Sequence, residues 1–145
     1  MSVLFSRPCE YALQAVLYLA LKPDGEMTSA KELTSKLDIP YHFISKILQD
    51  LTYKKLLYSQ TGPTGGFALA KSPQKILFLD IVEAIDGKDY KTKCVMGFTE
   101  CGGKNICAVH DKWVLIKENI HDMLVSKNIF EMAKEMDRAR MKFFA

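Results

Sequence analysis

The stretch Leu37-Asp-Ile-Pro-Tyr-His-Phe-Ile-Ser-Lys-Ile-Leu48 decides the fold. Its first four residues read as a tight turn, and Pro40 stands where a helix can begin. Ile44, Ile47, Leu48 and Leu51 then recur at the spacing of one buried helix face. Upstream, Ser29-x-x-Glu32 has the form of a capping box and opens a shorter helix with Ala30, Leu33 and Leu37 inward. Thr28 or Ser29 is its cap. Two short helices joined by a tight turn form a helix-turn-helix pattern. Taken alone, that pattern fits an ordinary packed helix pair equally well.

Downstream residues separate the two readings. Leu56-Leu-Tyr-Ser-Gln60 and Phe67-Ala-Leu-Ala70 read as short strands. Between them, Thr61-Gly-Pro-Thr-Gly-Gly66 is a turn sequence suited to a hairpin. Helix, helix, hairpin is the order of a winged helix. The expected fold is therefore mainly α with a small β-hairpin wing: a winged helix-turn-helix followed by a long dimerisation helix. In such a fold the second of the paired helices enters the major groove of double-stranded DNA. Tyr41, His42, Phe43, Ser45 and Lys46 are the expected contacts at its amino end. Thr28 and Ser29 are expected to donate to phosphate, and Ser59, Gln60, Thr61 and Gly62 to reach DNA from the wing.

Charge agrees with this. The net charge of the 145 residues is only +3. Between positions 41 and 75, however, Lys46, Lys54, Lys55, Lys71 and Lys75 face a lone Asp50, a surface suited to a polyanion.

Before this unit, residues 8–21 form a first helix with Pro8 and Glu10 in its opening turn. Between Glu10 and Leu21 only Glu10 and Gln14 are strongly polar, which points to burial on several sides, including by a second subunit. After it, residues 76–85 form a fourth helix with Leu77, Ile81, Val82 and Ile85 inward and Gly87 as stop. Residues 108–124 form a long helix in which Val109, Trp113, Ile116, Ile120 and Met123 trace a heptad seam. That seam predicts a homodimer, and a two-fold dimer predicts a roughly palindromic operator. Ser126 or Asn128 caps a last helix with Ile129, Ala133 and Met136. The expected division is a DNA-binding domain at 1–75 and a loop with dimerisation helices at 76–145.

Three of the four cysteines lie between the fourth and long helices, as Cys94-x6-Cys101-x5-Cys107-x2-His110. Thiolate and imidazole suit an iron–sulfur cluster or zinc. Zinc sites usually carry a Cys-x2-Cys pair, absent here. Bare redox thiols are a third reading. A Cys107–His110 nucleophile and base would make a small enzyme, but no phosphate loop, carboxylate pair or dinucleotide fingerprint accompanies them. The chain has no apolar run long enough for a membrane span. Its first eight residues lack a signal-peptide pattern, so a cytoplasmic place is expected.

Glu10-Tyr-Ala-Leu13, Ile39-Pro-Tyr-His-Phe-Ile-Ser-Lys-Ile-Leu48, Gly62-Pro-Thr-Gly-Gly-Phe67 and Asp80-Ile-Val-Glu-Ala-Ile-Asp-Gly87 together resemble one family. It is the winged-helix transcription regulators that include IscR, NsrR and CymR. Cys94, Cys101 and Cys107 resemble its cluster-binding branch. The resemblance implies a repressor whose DNA affinity is switched by a 2Fe-2S or 4Fe-4S cluster on those cysteines. It implies His110 as fourth ligand, or Glu10 or neighbouring Cys9 from the partner subunit. Thr61 stands where the family's wing usually has arginine.

Overall fold

The computed structural model describes residues 4–98 and 107–138. Among the described residues six α-helices and one hairpin follow in order. They are α1 (Arg7–Ala20), α2 (Ala30–Leu37), α3 (Tyr41–Tyr53), β1 (Leu57–Gln60), β2 (Gly66–Leu69), α4 (Phe78–Asp86), α5 (His110–Ser126) and α6 (Ile129–Arg138). The winged helix-turn-helix order expected from the sequence is present.

Local chemistry sets the boundaries. The Ser6 hydroxyl accepts the Cys9 amide at 3.2 Å and opens α1 just before Pro8. Ser29 caps α2 through the Glu32 amide at 3.0 Å. Asp38 ends α2 in the left-handed region, φ 54°, a conformation that short polar side chains tolerate. Pro40, at φ −56°, then leads into α3. Asn128 and Glu131 form a reciprocal capping box at α6: the Glu131 amide meets Asn128 Oδ1 at 2.8 Å, and the Asn128 amide meets Glu131 Oε2 at 3.3 Å.

The hairpin pairs Leu57 with Leu69 and Gln60 with Gly66. Thr28 extends it as a third edge: its N–H donates to Phe67 O at 2.9 Å and its carbonyl accepts the Phe67 N–H at 2.8 Å. The start of α2 is thereby tied to the wing. Gly66 allows the approach. It sits at φ +147°, and a Cβ there would lie 2.5 Å from the Thr28 carbonyl oxygen.

The core is built around α1. Ala12, Ala15 and Val16 are fully buried and share one cluster with Ile44, Leu48 and Leu51 of α3, Ile81 of α4, and Ile129 and Ala133 of α6. The apolar wrap of α1 is thus covered within one chain by α3, α4 and α6. The apolar residues Ala12, Ala15 and Val16 are buried without a second subunit. The core also runs continuously across the expected boundary at 75/76. Ile76 is fully buried, and its carbonyl accepts the Ile129 amide at 2.8 Å. A smaller cluster of Cys9, Val82 and Leu124 seats α5 against α1 and α4.

Ile129→Ala tests this shared core. Deleting a fully buried Ile side chain typically costs about 2–5 kcal/mol. The expected result is one urea transition for the whole chain, shifted to lower midpoint. Two separate transitions, with the helix-turn-helix part unmoved, would contradict the continuous core.

Candidate nucleic-acid interface and thiol site

Two surfaces carry chemistry. The first is the amino end of α3 with the wing. Ile44, Ile47, Leu48 and Leu51 turn inward, which leaves Tyr41, His42 and Lys46 exposed and Ser45 half-buried. Phe43 is 40% exposed and its ring lies 5.9 Å from that of Tyr11, so it leans on α1 while reaching solvent. Lys46 pairs with Asp50 at 3.0 Å one turn on. An exposed pair of this kind is worth little and does not hold the ammonium back from a stronger anion. Ser59, Gln60, Thr61 and Gly62 are exposed at the wing, and Gly62 sits at φ +102°.

Thr28 departs from its expected place. It is 2% exposed and serves as the backbone anchor of the wing, so its hydroxyl is not on the surface for phosphate. Ser29 is exposed. Its oxygen accepts the Glu32 amide, and its own proton remains for donation.

The second surface is the thiol site between α4 and α5. Cys94 is 7% exposed. Burial alone would raise its thiol, but backbone N–H groups of Phe98, Met96 and Gly97 and the Cys107 side chain hydrogen-bond the sulfur, and the net shift is downward. Of these, the Met96 amide lies 3.4 Å from the sulfur. Gly97, at φ +84°, also closes the turn by donating to the Cys94 carbonyl at 3.0 Å. The structure therefore brings Cys94 and Cys107 together across the loop. His110 is the first residue of α5, and its amide donates to the Cys107 carbonyl at 3.1 Å. Cys101 lies outside the described residues. Among the described residues no three His, Cys, Asp or Glu side chains gather as a metal site. The two thiols with N–H donors on one sulfur suit a soft metal or an iron–sulfur cluster, which thiolates hold and amide hydrogen bonds tune.

The other ligand candidates part company. Cys9 is wholly buried in its own chain, and burial followed by nearby Asp86 and Glu10 pushes its thiol up to about 12. It is a small core hydrophobe and is not presented to a partner subunit, so that expectation is withdrawn. Glu10 keeps 17% of its side chain exposed and pairs with Arg7 at 3.7 Å.

The α5 seam divides into two lines. Val109, Ile116 and Met123, seven residues apart, are 43%, 48% and 43% exposed. Trp113 and Ile120, also seven apart, are half-buried, with Ile120 packed on the cluster containing Leu124. A heptad spacing cannot tell which line faces the helix's own chain. The sequence reading also missed a group of polar contacts: the Trp113 indole N–H donates to Lys93 O at 2.8 Å, Lys117 Nζ to Lys91 O at 3.2 Å, and Tyr90 Oη lies 2.9 Å from His121 Nδ1. The four-residue recurrence of Trp113, Lys117 and His121 was the signal available for it.

Comparison with known proteins fits these surfaces. The family described as Rrf2, an iron-dependent transcriptional regulator, matches residues 5–135. A chain of Aquifex aeolicus that carries the name of an HTH-type transcriptional regulator is 36% identical over 133 residues, spanning 90% of this chain and 91% of that one. The HTH-type transcriptional regulator IscR of Xenorhabdus nematophila is 25% identical over 127 residues, spanning 88% and 77%. Among solved structures, CymR of B. subtilis, the global cysteine regulator, has a TM-score of 0.79 at 21% identity, covering 92% of this chain and 98% of its own. T. potens IscR has a TM-score of 0.75 at 22% identity, covering 97% and 92%. At such identities the structural likeness carries the winged-helix fold alone. The family match and the Aquifex relative, each spanning about nine tenths of the chain, go further. With a helix-turn-helix and a wing in place, the chain belongs to the Rrf2 family of transcriptional regulators, which are not enzymes.

Proposed function

We propose that this chain is a cytoplasmic, homodimeric repressor whose affinity for DNA is switched by an iron–sulfur cluster on Cys94, Cys101 and Cys107. The observation that carries the reading is the Cys94 sulfur, which accepts backbone N–H groups of its own turn and meets the Cys107 side chain ahead of α5. His110 is the proposed fourth ligand, and Glu10 of a partner subunit the alternative. Such a cluster supplies redox- and nitric-oxide-labile iron to the loop. Either 2Fe-2S or 4Fe-4S nuclearity fits three cysteines and one exchangeable ligand. A relative named IscR and a family described as iron-dependent support this reading.

The rest of the switch lies in the chain's own residues. Cys107 and His110 sit at the head of α5, so a ligand held there would set how α5 leaves the core. Dimerisation through Val109, Ile116 and Met123 would then place two α3 helices on one operator. They must stand roughly 34 Å apart to enter successive major grooves of a palindrome. A small change at α5 therefore alters affinity, provided one geometry is preferred in each state.

Tyr41, His42, Phe43, Ser45 and Lys46 are proposed to face bases or phosphates, with Ser29 and the wing residues Ser59, Gln60, Thr61 and Gly62 at the backbone. The proposed units are a DNA-binding part at 1–75 and a cluster and dimer part at 76–145, sharing one core.

Zinc on the same thiols is the runner-up. Anaerobic purification separates the two readings. The expected product is coloured, with iron and acid-labile sulfide in similar amount and visible charge-transfer absorption. A colourless protein with one zinc per chain would establish the alternative. The dimer is read from solution mass, expected at twice the chain mass at micromolar concentration. A monomer there removes it. Lys46→Ala is expected to weaken binding across sequences and to flatten the salt dependence by about one phosphate contact, a slope change of roughly 0.9. An unchanged slope takes Lys46 off the contact surface.

A further inference from the structure

Residues 90–93, which lead into Cys94, lie along one face of α5. Trp113, Lys117 and His121 are four residues apart, so they form a single line on that helix. Read up the line, they meet the chain in reverse order. Trp113 Nε1 donates to the Lys93 carbonyl at 2.8 Å, and Lys117 Nζ donates to the Lys91 carbonyl at 3.2 Å. His121 Nδ1 lies 2.9 Å from the Tyr90 hydroxyl, with the two rings stacked at a centroid distance of 6.4 Å. Lys91 also reaches back to Glu83 of α4, at 3.8 Å. Tyr90 packs on the cluster of Cys9, Val82 and Leu124. Two of the three contacts are to backbone carbonyls, so they fix the path of the chain and not only a side chain. The residue after Lys93 is Cys94, whose sulfur is already set by the turn that follows it.

We propose that this line is a brace and that Trp113 is the positioning residue of Cys94, its indole N–H clamping the Lys93 carbonyl so that the first thiol is presented at a fixed place beside α5. The role as ligand positioner rests on the cluster reading; the brace itself does not. Through it, residues 90–94 and α5 move as one body. Lys117 holds the middle of the approach, and the Tyr90–His121 pair anchors its far end to the core. Trp113 is then half-buried because it serves its own chain, while Val109 and Ile116 on the neighbouring line stay open to a partner.

Trp113→Phe removes the N–H and keeps an aromatic ring. In apo full-length protein, amide hydrogen exchange across residues 91–98 is expected to rise roughly three- to tenfold, the scale of one hydrogen bond. Exchange in α1 and α3 should stay at the wild-type rate. Tyr90→Phe, which removes only the far hydroxyl, should raise exchange at the same segment by less. Unchanged exchange at 91–98 in Trp113→Phe would overturn the brace. A rise spread equally over α1 and α3 would also overturn it, because Trp113 would then be a general stabiliser. In anaerobically purified protein, the variant is expected to load iron but to bleach several-fold faster in the presence of an iron chelator. Bleaching at the wild-type rate from a loaded variant would overturn the positioning role. If wild-type protein holds no iron or sulfide, the cluster reading fails by itself and takes the ligand-positioning role with it, while the exchange result still decides the brace.

Discussion

Burial of α1 between α3, α4 and α6 is the constraint on which the other features depend. Ala12, Ala15 and Val16 present small or branched faces, so α3, α4 and α6 can all close on one helix. Each fully buried Val, Leu or Ile side chain contributes about 1.5–3 kcal/mol and an alanine methyl less, and a helix covered from three directions gathers many of them. Because these elements share a single helix, they share a frame of reference. The recognition helix cannot tilt independently of α4, and α5 is seated on the same body through Leu124 against Cys9 and Val82. A winged helix with a separate, loosely tethered tail would lack this rigidity.

The same frame carries the thiol site. Cys94 follows a segment laid on α5, and Cys107 immediately precedes the turn into that helix. The two described cysteines of the α4–α5 connection thus both lie next to α5. Backbone N–H donors around the Cys94 sulfur favour thiolate over thiol, which is the state that binds soft metal. Cys9 shows the opposite environment. Wholly enclosed, near Asp86 and Glu10, its thiol is driven up to about 12 and it packs as an apolar group. Residue type alone gives both positions equal claim as ligands; surroundings separate them.

What could be read from the chain was local. Pro40 and the glycines of 62–66 punctuate the helix-turn-helix and wing, and the inward set Ile44, Ile47, Leu48 and Leu51 follows from helical periodicity. The cysteine spacing and the Asn128 cap were equally open to reading. Long-range partners were not. Thr28 has the composition of a phosphate contact, but Phe67, far along the chain, draws its backbone into the sheet and buries it. The apolar wrap of α1 suggested a second subunit because α6, which covers it, lies more than a hundred residues away. The heptad on α5 gives a spacing but not the division of its positions between two lines. Trp113 and Ile120 turn toward their own chain, and Val109, Ile116 and Met123 turn away. Cys101 lies outside the described residues, so the third thiol rests on sequence spacing and family resemblance.

The central claim is that the state of the cysteine loop sets the affinity of the recognition helices. The most direct test titrates the same promoter fragments, at one salt concentration, with cluster-loaded protein and with a variant carrying Cys94→Ala, Cys101→Ala and Cys107→Ala. The expected result is a difference of roughly tenfold or more on at least one fragment, equivalent to about 1.4 kcal/mol. Equal binding to every fragment, with cluster shown present in one protein and absent in the other, would contradict the switch and leave the cysteines a purely structural role.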